Sequence, residues 1–445
     1  MSEPTVIIHG WSDDSSSFNN LASFIKQKLN TPPIIIRLAD WISMQDDVTY
    51  PDLVVAMQRA WVASGLPTGL RSVNVVVHST GALVTRDWMT KYFTPESVPI
   101  KRLLMLAPAN FGSPLAHKGR SFIGRVIKGW GEPSFQTGTQ ILKGLELGSP
   151  YTFNLAERDL FNDQARWYGR DRILGTVLVG NTGYSGVAAI ANEDGSDGTV
   201  RISTANLNAA KLEIVLDENQ QAKSIKWKHV NGSIAFGILD KENHSTIAFK
   251  DRGPRNNKTG DLILGALTVS DGDFSETGMQ FSWQTKIDNT DPSVGQRSDR
   301  LQNTVTYLRD NLNQDVEDYF VEFYRTGETD ENFEKELYER FISSVHPYED
   351  NTAYRSIYLD MNEFDKIKNE LGINKLFISL TAHPLYRPPA YPVGYVSLAE
   401  NQTGGLQLSA EQLPEFFTAH RTLLVDITIN RVVDESVFII KPPIV

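Results

Sequence analysis

Cysteine is the most informative absence in this chain, which has none among its 445 residues. Disulfide bonds, thiolate metal sites and cysteine nucleophiles are therefore all excluded. A chain without cysteine suits the reducing environment of the cytosol. Many exported bacterial proteins lack cysteine as well, so the count alone leaves the compartment open.

Long apolar runs and an excess of positive charge are also missing. No apolar stretch of the sequence is long enough to span a bilayer. The first four residues, Met1 to Pro4, contain neither the basic nor the apolar part of a signal peptide. We therefore expect a cytoplasmic protein, with export by a route without a cleaved signal as the alternative. The formal net charge of −11 argues against a nucleic-acid partner, because phosphate binding needs a cationic face.

The composition that remains is that of a globular protein, with 40% hydrophobic and 22% charged residues. The length predicts two or three domains. In the first part of the chain, short apolar runs alternate with stretches of helical periodicity, which predicts a parallel sheet with helices on both faces. The predicted strands are Val6–Ile8, Pro33–Leu38, Val73–Val77, Leu103–Leu106, Thr176–Val179 and Ile234–Leu239, and the predicted helices are Ser15–Leu29, Asp52–Ala63 and Ala82–Phe93.

A polar, loop-like segment at Asp251–Lys258 marks a predicted domain boundary. We expect a first domain over residues 1–252 and a β-rich region over residues 260–445, with one or two sandwich-like modules. Alternating runs predict antiparallel strands in this region, and Met361–Leu371 is a predicted helix. The runs include Met279–Trp283, Thr304–Leu308, Arg355–Leu359, Leu376–Leu380 and Thr422–Ile429.

The stretch from about residue 111 to residue 170 breaks the alternation of the first part and is longer than an ordinary connection. It carries apolar side chains between glycines and basic residues, and Phe122 and Trp130 are examples. We interpret it as an insertion that covers a site and offers an apolar face to an acyl chain. Packing of the same side chains against the sheet is the alternative.

The pentapeptide Val77-His78-Ser79-Thr80-Gly81 follows a predicted buried strand and precedes a predicted helix. This is the context in which a G-x-S-x-G motif presents a nucleophilic serine on a tight turn. The helix N-terminus favours negative charge beside such a serine. Val77 departs from the motif, which has glycine at this position. The other interpretation of Ser79 is a surface serine that caps a helix.

Chain order then restricts the other members of a catalytic triad, since the acid follows the serine and the base follows the acid. Asp197 in the segment Asn192–Val200 is the candidate acid, with Asp194 as its rival and Glu193 as a weaker alternative. His244 is the candidate base, because it follows the last predicted strand of the sheet. His229 is the rival base. A polar turn without a catalytic role is the other interpretation of the acidic segment.

These motifs together resemble the α/β-hydrolase fold of bacterial lipases and esterases over Glu3–Phe249, a little over half of the chain. His9-Gly10 resembles the turn that follows the first strand in such lipases, Asp197-Gly198-Thr199-Val200 resembles their acid segment, and Ala107–Pro114 resembles a further turn. The likeness implies oxyanion-hole N–H groups at Trp11 and Thr80. It also implies a trimmed version of the fold, because His9-Gly10 comes almost at once.

The resemblance implies a serine hydrolase that cleaves carboxylic esters of lipids or other acyl groups. No cofactor is expected and no calcium loop is visible. A phospholipase or an acyltransferase with the same triad is the first alternative. A binding or adhesion protein with a degenerate hydrolase domain is the second, and a secreted effector is the third. We expect an acyl ester or lipid as the partner, with peripheral contact with a lipid surface left open.

Overall fold

The structure is a computed structural model that describes residues 3–9, 18–43, 45–117, 138–217, 222–324, 335–372, 375–382, 397–398, 406–409 and 411–430. The chain divides into two compact units. The first contains Met1–Ala209, His229–Arg300 and His420–Thr422. The second contains Ala210–Lys228, Leu301–Ala419 and Leu423–Val445.

The strands of the described residues are numbered here in chain order. They are β1 (Thr5–His9), β2 (Ile34–Arg37), β3 (Val73–His78), β4 (Ile100–Leu106), β5 (Leu174–Gly180), β6 (Ala210–Leu216), β7 (Ala222–His229), β8 (Ile234–Leu239), β9 (Leu301–Asp310), β10 (Phe320–Tyr324), β11 (Ile342–Pro347), β12 (Tyr354–Asp360), β13 (Lys375–Thr381), β14 (Ser397–Leu398), β15 (Leu406–Ser409) and β16 (Thr422–Ile429).

The helices of the same residues are numbered in the same way. They are α1 (Asn19–Leu29), α2 (Tyr50–Ala63), α3 (Gly81–Tyr92), α4 (Thr139–Leu145), α5 (Pro150–Asp159), α6 (Ile202–Ala205), α7 (Thr259–Thr268), α8 (Ser282–Asp288), α9 (Val294–Arg297), α10 (Met361–Glu370) and α11 (Leu413–Phe416). A short π-helix, Leu337–Phe341, precedes β11.

The first unit is built on a six-stranded sheet in the order β2-β1-β3-β4-β5-β8, as far as the described residues go. Every neighbouring pair in this sheet is parallel. Strands β3 and β5 are buried along their whole length, as expected for strands covered on both faces. The sequence prediction of a parallel sheet with flanking helices is therefore confirmed.

Helices α2 and α3 pack together beside the sheet. Thr49 and Asp52 form a capping box at the start of α2. The Thr49 side chain accepts from the backbone N–H of Asp52, and the Asp52 side chain accepts from the backbone N–H of Thr49. The rings of Trp61 and Trp88 join the two helices, with centroids 4.7 Å apart. The apolar spacing of both helices predicts this buried face.

The predicted insertion is described at residues 111–117 and from residue 138 onward. Its helices α4 and α5 pack against α2 and α3. The ring of Tyr151 stacks on that of Tyr50 at 4.2 Å, and Gly144 leaves the room that the Tyr50 ring fills. These residues therefore belong to the helical layer of the unit. Phe122 and Trp130 lie outside the described residues.

The domain boundary predicted near residue 252 lies inside the first unit. Helix α7 buries Leu262 and Ile263 and contacts β4. Helix α8 contacts β8, and its Trp283 Nε1 donates a hydrogen bond of 2.9 Å to the Thr176 hydroxyl on β5. The segment that belongs to this unit therefore continues past the predicted boundary to Arg300. The strand predicted at Met279–Trp283 is wrong, because helix α8 begins at Ser282.

The second unit is β-rich, as predicted, and contains two sheets within the described residues. Strands β10, β13, β14 and β15 form an antiparallel sheet. The other sheet has the order β11-β12-β9-β16-β6-β7, so it takes two strands from the chain between β5 and β8. Its core is apolar and aromatic, and includes Leu308, Phe341, Ile357, Phe364 and Phe417.

Candidate active site

The turn between β3 and α3 carries Ser79 in a left-handed backbone conformation, with φ of +55°. Few residues other than glycine adopt this region, and the cost of doing so is about 1–3 kcal/mol. The turn is held from β4, because the Ser79 N–H donates to the Leu106 carbonyl at 3.2 Å. The Ser79 carbonyl accepts from Ala109 N–H at 3.4 Å. A strained serine between a buried strand and a helix is the arrangement of a nucleophile turn.

Val77 fits this turn as an ordinary strand residue. It is fully buried and pairs with Ile8 on β1 and with Met105 on β4. Its side chain therefore packs in the core of the sheet, and the turn itself begins two residues later. A valine at the first position of the motif is compatible with the turn for this reason.

Asp197 lies in a tight turn after β5 and is fully buried. One carboxylate oxygen, Oδ1, accepts hydrogen bonds from the N–H groups of Thr199 and Val200, at 2.9 and 2.8 Å. The other oxygen, Oδ2, is 3.0 Å from Nδ1 of His244. These three contacts fix the position of the carboxylate, because each of its oxygens can only accept from the partner it faces.

His244 lies in the loop that follows β8, and its side chain is 10% exposed. Its backbone N–H also donates to the Asp197 carbonyl at 3.0 Å, so two bonds join the residues. Because Nδ1 donates to a carboxylate, a neutral His244 keeps Nε2 as a proton acceptor. The His244 carbonyl lies 2.8 Å from Nε2 of His78, the residue before Ser79. The structure thus brings the predicted base to the turn that carries the predicted nucleophile.

The rival candidates lie elsewhere. Asp194 is exposed, and Glu193 forms an ion pair with Arg201 at 2.9 Å. His229 ends β7, which belongs to the other six-stranded sheet. Among the described candidates, Asp197 is the carboxylate in contact with His244.

Thr80 stands at the N-cap of α3 with helical φ and ψ. Its N–H therefore belongs to the group of backbone donors at this helix N-terminus, where negative charge is favoured. Trp11, predicted as the second oxyanion donor, lies outside the described residues, as do the predicted substrate contacts Phe122 and Trp130.

Tyr184 is a site residue that the sequence analysis missed. Its hydroxyl is 3.0 Å from the Thr199 hydroxyl, next to Asp197, and its ring fills the space beside Gly198. Asn192 holds its backbone by hydrogen bonds to Tyr184 N–H and O, at 2.7 and 2.8 Å. Burial, reinforced by the Asp197 carboxylate, raises the pKa of Tyr184, so the hydroxyl stays neutral. No local sequence motif predicts the contact of Tyr184 with Thr199, because it forms only when two loops come together in the fold.

A buried ion pair supports the helix behind Ser79. Arg86 on α3 donates to both oxygens of Asp159, at 2.7 and 2.8 Å, and both side chains are fully buried. Tyr168 donates a third hydrogen bond to Asp159 at 3.0 Å. Arg86 also donates to the Asn110 carbonyl at 3.2 Å, which ties α3 to the loop after β4. The sequence signal that could have indicated this ion pair is an arginine among the apolar residues of a predicted helix.

Two negative observations concern the described residues alone. No group of three or more histidine and carboxylate side chains there is arranged to hold a metal ion. No helix there has the length and apolar composition needed to cross a membrane.

The sheet order, the strained serine turn and the pairing of Asp197 with His244 define an α/β-hydrolase fold. No family model matches the chain, and no curated protein matches it in sequence. Among solved structures it is similar to the phospholipase PlaB from Legionella pneumophila, with a TM-score of 0.80 and 23% identity over 99% of this chain and 97% of that one. A second PlaB structure, in complex with thio-NAD, gives the same values.

The lipase BlEst2 from Bacillus licheniformis, in its mature form, matches with a TM-score of 0.39 and 17% identity. That match covers 60% of this chain and 93% of the lipase. The match to PlaB covers nearly the whole chain, so that similarity includes the β-rich unit, for which the sequence had offered no resemblance.

Proposed function

We propose that the protein is a serine hydrolase that cleaves carboxylic esters of lipids. The observation that carries the proposal is the contact of 3.0 Å between Asp197 and His244, in a loop that is bonded to the residue before Ser79. Chain order and position at strand ends support the same assignment, because the three residues follow β3, β5 and β8 in turn.

In this proposal His244 Nε2 takes the proton of the Ser79 hydroxyl as Oγ attacks the ester carbonyl carbon. The carbonyl oxygen becomes an oxyanion, which accepts hydrogen bonds from the N–H groups of Thr80 and Trp11. When the C–O bond breaks, His244 returns the proton to the leaving alcohol. Water then attacks the acyl-enzyme with His244 as base, and the acid is released. Asp197 keeps the imidazole oriented and stabilises its charged form.

A phospholipid is the favoured substrate class within this proposal. The supporting observation is the similarity to phospholipase PlaB over nearly the whole of both chains. An acyltransferase uses the same acyl-enzyme and replaces water by an alcohol. Incubation with phosphatidylcholine vesicles and a second alcohol, followed by product analysis, separates the two. Free fatty acid as the main product supports a phospholipase, and a new ester as the main product supports a transferase.

A fluorophosphonate probe tests the nucleophile directly, because it forms a covalent adduct with an activated serine. We expect labelling of the folded protein at Ser79, located by mass spectrometry of the peptide. Ser79→Ala should abolish labelling and lower kcat by about 10⁶-fold, the order found when a triad serine is removed. Ser72→Ala is the matched control, because Ser72 precedes the opposite end of the same strand.

Labelling equal in wild type and in Ser79→Ala would contradict the proposal. Complete absence of labelling in folded wild-type protein would favour the alternative of a binding protein with a degenerate hydrolase unit. Ester hydrolysis by the wild type without labelling of Ser79 would place the nucleophile elsewhere.

A further inference from the structure

The side chain of His78, directly before Ser79, makes a contact that the proposed chemistry has not used. It is the last residue of β3 and is 3% exposed. Its Nε2 atom is 2.8 Å from the carbonyl oxygen of His244. A carbonyl oxygen can only accept a hydrogen bond, so Nε2 of His78 carries the proton in this contact.

This bond engages the carbonyl of His244, which is a different group from those that bond to Asp197. Asp197 accepts from both the backbone N–H and Nδ1 of His244, each at 3.0 Å. His78 donates to the carbonyl of the same residue. The N–H of His244 is therefore bonded to the Asp197 turn, and its carbonyl is bonded to the residue before Ser79. Ser79 and His244 are far apart in the sequence, and the His78 bond links their two loops.

Aromatic packing fixes the His78 ring in this orientation. Its centroid lies 4.6 Å from that of the His244 ring, at an interplanar angle of 49°. Phe18 packs edge-on against the His78 ring as well, with centroids 5.6 Å apart. Rotation of the His78 ring would open a buried space between these neighbours, which is unfavourable in a close-packed interior.

We infer that His78 is a positioning residue that sets the distance between the base His244 and the nucleophile Ser79. This inference rests on the proposed hydrolase function. The hydrogen bond from His78 fixes the loop after β8 relative to the turn after β3. Proton transfer from serine to histidine needs hydrogen-bond distance, and a displacement of about 1 Å can cost about 100-fold in rate.

The test compares variants that keep or lose the donor. His78→Phe keeps a ring of similar size and removes the N–H group. We expect kcat with a short-chain p-nitrophenyl ester to fall about 10- to 100-fold at nearly unchanged KM. The rate of fluorophosphonate labelling at Ser79 should fall in parallel. His78→Gln, whose amide nitrogen reaches about as far as Nε2 of histidine, should restore kcat to within about threefold of wild type.

Asn208→Leu is the matched control. Asn208 Nδ2 donates to the carbonyl of Ile234 at 3.0 Å, which lies at the start of β8, whereas His78 contacts the loop that follows the end of β8. We expect this variant to lose stability and to keep the wild-type kcat. If the role of His78 were only structural, His78→Phe and His78→Gln would both lose stability and keep the wild-type kcat, as expected for Asn208→Leu.

Two outcomes distinguish the failure of this inference from that of the proposed function. If wild-type Ser79 is not labelled, the hydrolase function fails and the inference falls with it. If Ser79 is labelled and His78→Phe has the wild-type kcat and labelling rate, only the inference is overturned. Should His78→Phe fail to fold, His78→Gln is compared with His78→Asn, whose amide is too short to reach. Equal kcat in those two variants would also overturn it.

Discussion

At the scale of single residues, the site depends on which carboxylate of the acidic segment meets His244. Asp197 and Asp194 are each followed by glycine, and the sequence left the choice open. The structure distinguishes them by burial and by donors. Asp197 accepts two backbone N–H groups and the imidazole, whereas Asp194 is exposed. A carboxylate that orients a histidine must be held in this way.

Asp197→Asn should therefore lower kcat by about 10⁴-fold, because an amide favours the wrong imidazole tautomer, with little change in overall shape. Asp194→Asn should leave kcat within about twofold, since Asp194 is exposed and is not the carboxylate in contact with His244. Steady-state hydrolysis of a p-nitrophenyl ester by both variants measures the difference. A large loss in Asp194→Asn with normal kcat in Asp197→Asn would reverse the assignment.

Local sequence predicted Ser79, Asp197 and His244 because each follows an apolar strand, and strand ends of a parallel sheet share one edge. It could not predict the residues that join them. His78 meets His244 across 166 positions, and Tyr184 meets Thr199 only because two loops converge. Such contacts arise from tertiary packing and leave no periodic pattern in the chain.

At the scale of elements, helix α3 depends on a buried charge pair in addition to its apolar face. Arg86 and Asp159 join α3 to α5, and both are fully buried. Burial by itself opposes the charge on the guanidinium, but the Asp159 carboxylate outweighs it and raises the pKa of Arg86. Removing one partner leaves the other charge buried and uncompensated, which is more costly than removing both.

Arg86→Met should lower the free energy of unfolding by about 3–5 kcal/mol. The double variant Arg86→Met with Asp159→Leu should be more stable than the single variant, because no charge then remains without a counterion. Urea unfolding of wild type, both single variants and the double variant measures the coupling. Simple additivity of the two single losses would show that the pair does not interact as the distances indicate.

Elements were predicted best where burial and periodicity agree. The prediction of Ile234–Leu239 matches β8 residue for residue, and the prediction for α3 differs by one position at each end. The prediction at Met279–Trp283 failed because its apolar residues alternate over a short stretch. In the structure α8 begins at Ser282. The side chains of Trp283, Gln284 and Ile287 are buried and lie at helical spacing. A short alternating run cannot distinguish a strand from the start of a helix.

At the scale of the whole molecule, chain connectivity does not follow the boundary that composition suggested. After β5 the chain leaves the parallel sheet of the first unit, and β6 and β7 belong to the six-stranded sheet of the second unit. The chain then returns to the parallel sheet with β8. The polar segment near residue 252 is a loop within the first unit, followed by α7 and α8. Local composition marks exposed loops, and a loop becomes a boundary only when later elements pack elsewhere.

His420 belongs to the first unit although the chain around it builds the second. Nε2 of His420 is 2.9 Å from the Gly295 carbonyl. The carbonyl of His420 accepts a hydrogen bond of 2.9 Å from Asn206 Nδ2. Burial lowers the pKa of His420, and the charge of Arg300 acts in the same direction, against the Gly295 contact and Asp299. The folded protein therefore binds a proton here less readily than the unfolded chain does.

The sign of the resulting pH dependence follows from linkage. Well above pH 6.5 His420 is neutral in both states and contributes no pH dependence. As the pH falls through about 6.5, the unfolded chain takes up the proton first, so stability decreases. His420→Asn removes this titration, and asparagine tolerates the left-handed backbone conformation that His420 adopts. The loss of unfolding free energy between pH 7.5 and pH 5.5, from urea curves, should be smaller in the variant than in wild type. Equal losses would mean that protonation of His420 is not linked to unfolding of the unit.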